Sequence, residues 1–543
     1  MTSFRALAFA QRNPLLLLLA ALPLLIILYA HGRHGFFVSD FFWRADYLSI
    51  GIWENIGGSA VHPFSNILYF MLYRVGGFDA WTWLIVTMLI HWVNGVLVFL
   101  VFRHWLSSMS VPRAEFISSM GTMLFLFSPY QTEAVIWGAA AHYLLVVSFI
   151  LLALLGLLKF GDARMTGKSG AKWLALCLIS AVLGVFTHEM AIALPLLAGI
   201  IIMSLRLTGG WKTRTTSTLL VTILPMLVII ISYFILNKIV HGDWAGHYGT
   251  EVHFRFTIGT VVQAILNYAF KFLAFFRYWG IENAWEWKEW MESHWKLLAG
   301  LSSLGVVLVV MIIRRRVAII GFGAMILAFL AALLPVINLE TTSLLQVQSD
   351  RYSYLALAFF YPLLILIFCT MWSRSIGTAL SVVVLAVSII LLITTVSQWR
   401  KAGALTSSLI ADYRWPHQPV YILNLPDNLH GVYALRNAFK DALKEFRNVR
   451  SENVRIVAWY NPMMLTDSVR INSSPGGDTI GVIVSEWGRW FHYDGRGAVD
   501  YETDEYKAEF FGAWYRIILK DMPDDAVFIY QAGTYWREFR PTK

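Results

Sequence analysis

About eleven apolar runs punctuate this chain, each close to the roughly 20 residues an α-helix needs to cross a bilayer. They fall near residues 14–30, 80–102, 115–129, 142–160, 173–187, 190–206, 216–237, 296–313, 317–337, 353–372 and 376–397. Of 543 residues, 57% are hydrophobic and only 14% charged, with a mean hydropathy of +0.59, whereas about a quarter of a soluble domain is charged. The expected fold class is therefore mainly α, a polytopic membrane helix bundle. Cys177 and Cys369 both lie inside apolar runs, so they read as packing residues rather than a disulfide or a cysteine metal site.

The net charge of +9 does not indicate nucleic acid, because it is concentrated in short loops. Arg5 and Arg12, Arg103 and Arg113, Lys159 to Lys172, Arg206 to Arg214, Arg314 to Arg316, and Arg374 all border apolar runs. The positive-inside rule assigns these loops to the cytoplasm. With an odd number of crossings, the N-terminus is expected inside and the C-terminus outside, which in a bacterial inner membrane is the periplasm. The basic, then apolar start resembles a signal peptide, but no small-residue cleavage site follows Ala30, and it reads as a retained helix. Residues 257–280 are apolar enough for a further crossing, yet one would put the Arg314 to Arg316 triplet on the wrong side. They are expected to lie at the outer surface or to be re-entrant.

After Gln398, charges of both signs become frequent. The expected division is a membrane domain over 1–397 and a periplasmic mixed α/β domain over 398–543. Strand-like runs occur at 419–425, 454–460, 479–486 and 526–533, with an amphipathic helix expected near Val432 to Phe446 and a turn at 472–478.

Polar residues in the membrane part gather in a few segments expected to open on the outer face. The first, FFVSDFFWRADYLSIGIWENIGGSAVHPFSN, mixes aromatic rings with Asp40, Asp46, Glu54 and His62, a composition suited to short amphipathic helices at the interface. The others are SPYQTEAVIW at 128–137, THEMAIALP at 187–195 and LLPVINLETTSLLQVQSDRY at 333–352. Charged groups at membrane depth persist where they are buried in protein or face a wet cavity. Asp40 is the candidate base, able to take a proton from a substrate hydroxyl if it stays ionised. Its rival role is to cap a short interfacial helix, and Asp46 and Glu54 rank below it. Arg351 borders an apolar run on the outer side, where its guanidinium fork suits a phosphate; the rival is a local ion pair with Asp350. Glu133 and Glu189 either orient a substrate or serve as helix N-terminal charges. His62, His91, His142, His188 and His253 have no metal-ligand spacing and read individually as structural. No cofactor is expected, and a divalent cation has no support in the sequence. The Trp-rich segment 281–295 reads as an interfacial belt, with sugar stacking as its rival.

Taken in order, an acidic first outer loop, HPFSNILYFMLYRVGGFDAW, SPYQTEAVIW, THEMAIALPLL and PVINL followed by SDRYSYLA resemble the membrane part of the GT-C glycosyltransferases. Within these, the likeness is to the transmembrane and tetratricopeptide-containing protein O-mannosyltransferases and their bacterial relatives, over residues 30–400. Their corresponding runs read approximately YRPLTNLLY, HPVHTEAVAW, SKETAITLPLL and PVSNL with ERYLYLP. The resemblance implies Asp40 as catalytic base and Arg351 at the donor phosphate, and it places Glu133 and Glu189 near the same cavity. Beyond the resemblance, His188 and His62 are expected to assist at the phosphate, and Asp46, Asp350 and Tyr352 to line the cavity. This chain departs from the pattern at His62-Pro63, at His188-Glu189, and at Ala140-Ala141, where the family has Arg-Pro, Lys-Glu and Gly-Arg. It also lacks the tetratricopeptide tail, so mannose and a protein acceptor are not carried over.

The expected function is transfer of a sugar from a polyprenyl-phosphate donor to a glycan, lipid or protein acceptor, with inversion. No glycine-rich nucleotide loop or acidic metal pair occurs, which suits a donor whose leaving group is already anionic. The alternative is a lipid-linked saccharide transporter or flippase. It would call for charges deep in several spans and inverted-repeat symmetry, neither of which the sequence displays.

Overall fold

A computed structural model of the chain describes residues 14–30, 61–211, 215–242, 244, 257–313, 315–337, 347–436, 439–486, 488–493 and 497–541. Asp40, Asp46, Glu54 and His253 lie outside the described residues. Two compact units emerge: within the described residues, the first covers 14–30, 61–337 and 349–394, and the second is built mainly from 395–541.

The first unit is helical throughout. In order come α1 (Pro14–Tyr29), α2 (Pro63–Gly76), α3 (Ala80–Ser108), α4 (Ala114–Leu126), α5 (Thr132–Ile136), α6 (Ala141–Met165), α7 (Ala171–Val185), α8 (Leu194–Thr208) and α9 (Thr215–His241). They are followed by α10 (Ile258–Ala274), α11 (Ile281–Ser293), α12 (Trp295–Ile312), α13 (Arg316–Leu333), α14 (Tyr354–Met371) and α15 (Arg374–Asp412), the last running on into the second unit. Among the described residues, eight helices are long and apolar enough to cross a membrane, and four shorter apolar helices accompany them. Each of the eleven runs expected to span is helical. Residues 258–274 are helical as well, opened by a reciprocal cap between Thr257 and Thr260 that satisfies two first-turn N–H groups. The helix α2 was not foreseen; Pro63 starts it, suited to a first turn whose N–H groups have no helical partner.

Close packing of the bundle depends on small residues at particular crossings. At Gly121 of α4 a Cβ would come within 2.9 Å of Pro362 in α14, so that contact admits no side chain without moving backbone. Several polar groups between the central helices are paired. His91, fully buried, meets Tyr354 Oη at 2.7 Å through Nδ1 and the Leu126 carbonyl at 3.1 Å through Nε2. Asn94 joins Tyr354, the Leu144 carbonyl and Ser148. His91 is thus a satisfied structural histidine, as expected. The Trp-rich segment forms α11, with Trp285, Trp287 and Trp290 exposed.

The second unit is strand-rich. Its strands are β1 (Val420–Ile422), β2 (Leu425–Pro426), β3 (Asn428–Leu429), β4 (Val432–Tyr433), β5 (Val454–Ile456), β6 (Trp459–Tyr460) and β7 (Val469–Ser473), continuing with β8 (Thr479–Val484), β9 (Phe491–His492), β10 (Tyr501–Glu502), β11 (Tyr506–Phe510), β12 (Trp514–Leu519), β13 (Val527–Ala532) and β14 (Tyr535–Phe539). One sheet has the order β14-β13-β1-β5, with β1 parallel to both neighbours. A second, antiparallel sheet runs β10-β11-β12-β8-β7. Tyr421, Val457, Ile480, Val482, Tyr515, Ile517 and Phe528 form the core of this unit.

One expectation needs correction. The helix anticipated over Val432 to Phe446 is α16 (Phe439–Arg447), and Val432 and Tyr433 belong to a strand. His430 (φ +49°) and Gly431 (φ +78°) form a left-handed turn that pairs β3 with β4, so the backbone bonds of Val432 go to a hairpin. The turn over 472–478 joins β7 to β8, closed by Ser474 N–H donating to the Thr479 carbonyl.

Asp467 in this unit accepts two hydrogen bonds from Arg489, at 2.7 and 2.8 Å. Burial opposes its ionisation, but Arg489 and the N–H groups of Met463 and Met464 outweigh it and hold the carboxyl below its ordinary value. A folded-state value below the unfolded one adds stability above the unfolded pKa, near 4, which is lost as pH falls through the folded value. Thermal melts from pH 7 to pH 3 are expected to fall more steeply for the native protein than for Asp467→Asn.

Candidate functional site

Three segments far apart in sequence bring a buried charged cluster together in the first unit. The first is SPYQTEAVIW, folded as a 3-10 turn (Pro129–Gln131) running into α5. The second is the end of α10 with the turn Phe276–Tyr278, and the third is the turn Asp350–Ser353 that opens α14. Both delivering turns pass through left-handed backbone at a side-chain-bearing residue, Phe275 (φ +54°) and Ser349 (φ +73°). Such conformations cost of order 1–3 kcal/mol and persist where the surroundings enforce them. Here each sets up the charged residues that follow.

Asp350 is fully buried, and its Oδ1 accepts from Lys271 Nζ and from Arg277 Nη2, both at 2.6 Å. Arg351 turns the other way. Its Nη1 pairs with Glu133 Oε1, and its backbone N–H donates to Glu133 Oε2 at 2.7 Å. The backbone N–H of Ser349 also donates to Glu133, at 3.2 Å. The local Asp350-Arg351 pair entertained from sequence is therefore replaced by two longer-range pairings. Adjacent residues in a tight turn point apart, and each meets a partner from another helix.

Aromatic faces line the cations. Arg277 lies 4.8 Å over the Tyr130 ring, and Arg351 lies 4.5 Å over Tyr352 and 5.0 Å over Trp137. Tyr130 Oη donates to the Lys271 carbonyl, which anchors α10 to the SPYQ turn. Among the described residues, three basic side chains thus share two carboxylates in a buried setting. Arg277 Nε and Nη1, Asp350 Oδ2 and both amide ends of Gln131 have no hydrogen-bond partner among the described residues.

A second group adjoins the first. Glu189, at the turn between α7 and α8, accepts from Tyr233 Oη at 2.8 Å and meets His62 Nε2 at 3.3 Å. His188 Nδ1 accepts the Met190 N–H at 3.1 Å, so in the neutral ring Nε2 carries the proton; that nitrogen lies 3.9 Å from Glu189. The His188 ring is stacked 5.1 Å from His142 and 5.8 Å from His62. Tyr143 links the groups: its ring centroid is 4.6 Å from that of His188 and 5.9 Å from that of Tyr352. Arg351 Cζ is 6.0 Å from the Tyr143 ring.

Of the residues singled out from sequence, Arg351, Asp350, Tyr352 and Glu133 converge, as do His62, His188 and Glu189, and Tyr143 joins the two sets. Asp40 and Asp46 are not among the described residues. Lys271, Arg277, Tyr130, Tyr143, His142 and Tyr233 were not anticipated as parts of one site. Lys271 and Arg277 had a readable signal, as basic residues in an apolar stretch assigned to the outer side, where ionisable groups usually serve a site. Chemically, the cluster offers a guanidinium-rich wall for an anion beside imidazole donors. Among the described residues, no group of three or more His, Cys, Asp or Glu is disposed to hold a metal.

No family model matches the chain, and none of the curated proteins compared with it matches. Two solved structures are similar over most of its length. ArnT from Cupriavidus metallidurans bound to undecaprenyl phosphate is 14% identical, over 82% of this chain and 92% of that one, with a TM-score of 0.39. ArnT from the same organism in the apo state is 12% identical, over 83% and 93%, with a TM-score of 0.39.

Proposed function

We propose that this chain is a GT-C-type membrane glycosyltransferase that moves a sugar from a polyprenyl-phosphate donor to an acceptor on the periplasmic face of a bacterial inner membrane. The observation that carries the reading is the gathering of three buried basic side chains, Lys271, Arg277 and Arg351, against two carboxylates, Asp350 and Glu133, among the described residues. An unbalanced buried cation is costly unless a counter-ion meets it. A lipid-linked phosphate supplies that counter-ion, and the two unpartnered N–H positions of Arg277 supply directed donors for its oxygens. Two of the five motifs that resemble the GT-C enzymes, SPYQTEAVIW and SDRYSYLA, contribute Glu133, Asp350 and Arg351 to this cluster.

In the proposed reaction the acceptor hydroxyl attacks the anomeric carbon as the bond from that carbon to the phosphate oxygen breaks. Asp40 takes the hydroxyl proton, and the electron pair leaves on polyprenyl phosphate. Arg351 and Arg277 hold the leaving phosphate, and His188 and His62 add donors at the adjoining wall. Attack from the side opposite the leaving group gives inversion. Holding donor and acceptor in line removes on the order of 7–11 kcal/mol from the barrier, and charge stabilisation of the departing phosphate adds to it.

The test is incubation of the purified chain with a panel of polyprenyl-phosphate sugars and candidate acceptors, followed by mass spectrometry. Acceptor-dependent release of free polyprenyl phosphate with a sugar-bearing product is expected. Movement of intact donor across a vesicle membrane without cleavage would instead favour a flippase.

A further inference from the structure

The second unit holds a buried polar cluster to which the proposed transfer reaction assigns no role. Strands β1 and β5 are parallel neighbours and continue into β2 and β6, also parallel, with α16 in the crossover between them. Asp427 follows β2 and Asn461 follows β6, so both stand at the carboxyl ends of adjacent parallel strands. Open α/β sheets bind their ligands in the crevice outside these ends. His492 faces Trp459 across the β6–β9 pair, and its Nε2 comes within 3.9 Å of Asp427 Oδ1.

Asp427, Asn428, Asn461 and His492 are all more than nine-tenths buried. Asp427 Oδ2 accepts from Asn428 Nδ2 at 2.9 Å. Asp427 Oδ1 has no hydrogen-bond partner; Arg436 Nε stands 3.6 Å away and His492 Nε2 3.9 Å away, too far to donate to it. A buried carboxylate oxygen without a hydrogen bond is costly, so its natural complement is a group that occupies the gap. That group must donate to Oδ1 from between the Arg436 and His492 side chains. A neutral hydroxyl does so. An anion would face the carboxylate, and a metal ion would face the guanidinium.

Aromatic rings complete the setting. Trp459 stacks near His492, with centroids 6.3 Å apart, and anchors its indole N–H on the Arg436 carbonyl at 2.9 Å. Trp490 is 37% exposed, and in the amide orientation that satisfies Asn461 its N–H donates to that residue at 2.6 Å. It therefore offers an apolar ring at the open edge while its polar tip is held. Buried hydroxyl-matching groups beside a fixed, partly open indole suit a sugar ring, which carries hydroxyls on its rim and C–H groups on its faces.

We propose that this crevice binds a saccharide through Asp427, Asn461, His492 and Arg436, with Trp490 against the ring. The site is independent of the proposed transfer reaction, and its test needs no donor. The full chain in lipid nanodiscs is titrated with maltotriose, cellotriose, mannotriose and chitotriose, and saturation-transfer NMR reads binding. At least one trisaccharide is expected to bind, with affinity reduced about tenfold or more by Asp427→Asn and several-fold by Trp490→Ala. The exposed Trp490 variant decides the matter if Asp427→Asn fails to fold. Absence of saturation transfer from the native protein to all four sugars overturns the proposal, as does equal binding by the native protein and a folded variant of either residue.

Discussion

Replacing Asp350 with alanine is expected to destabilise the first unit by about 3–5 kcal/mol, the range for removing one partner of a buried ion pair. The substitution leaves Lys271 and Arg277, both almost fully buried, facing each other without their shared carboxylate. Thermal unfolding in detergent reads the loss directly. Two further variants separate charge from shape. Asp350→Asn keeps nearly the same volume and is expected to lose most of the same stability, whereas Asp350→Asn combined with Lys271→Met regains part of it by removing one stranded cation. Polyprenyl phosphate should raise the melting point of Asp350→Ala more than that of the native protein, because the stabilisation from a ligand that binds only the folded state grows with the logarithm of its affinity, and the anion is expected to bind more tightly where the carboxylate has been removed. Equal melting points for Asp350→Ala and the native chain would contradict the pairing itself.

The largest effect on turnover is expected from Asp40→Asn. A positioned general base typically contributes about 10²–10⁴ in rate, and the amide cannot accept the acceptor's proton while keeping nearly the carboxylate's shape. The expected signature is a fall in kcat of that order with donor affinity unchanged, because the phosphate contacts are proposed for other residues. A variant with near-normal kcat would remove Asp40 from the chemistry, and one that lost donor binding instead would assign it a different task.

Much of the bundle could be read from the chain because hydrophobic run length reports membrane-spanning helices almost without competition from other signals. The strand-rich unit was less legible. Its short strands β9 and β10 span two residues each and carry too little alternation to register, and the hairpin at His430 and Gly431 takes residues that a helical period would otherwise claim. In the site, Arg351 and Glu133 stood out because each sits in a polar motif beside an apolar run. Their mutual pairing did not, because Asp350 is the nearer acid in sequence and only the left-handed turn at Ser349 separates the two side chains. Lys271 and Arg277 belonged to no motif and were hidden by an argument about parity. His142 read as a lone histidine, and its stack on His188 depends on how α6 and the turn after α7 meet.

Binding of polyprenyl phosphate to the purified native chain and to Arg277→Met, followed by native mass spectrometry, goes straight to the claim that the buried cations receive a lipid phosphate. Retention of the lipid by the native chain, with a loss of about tenfold or more in the variant, is the expected outcome. Equal retention by a folded Arg277→Met would contradict it.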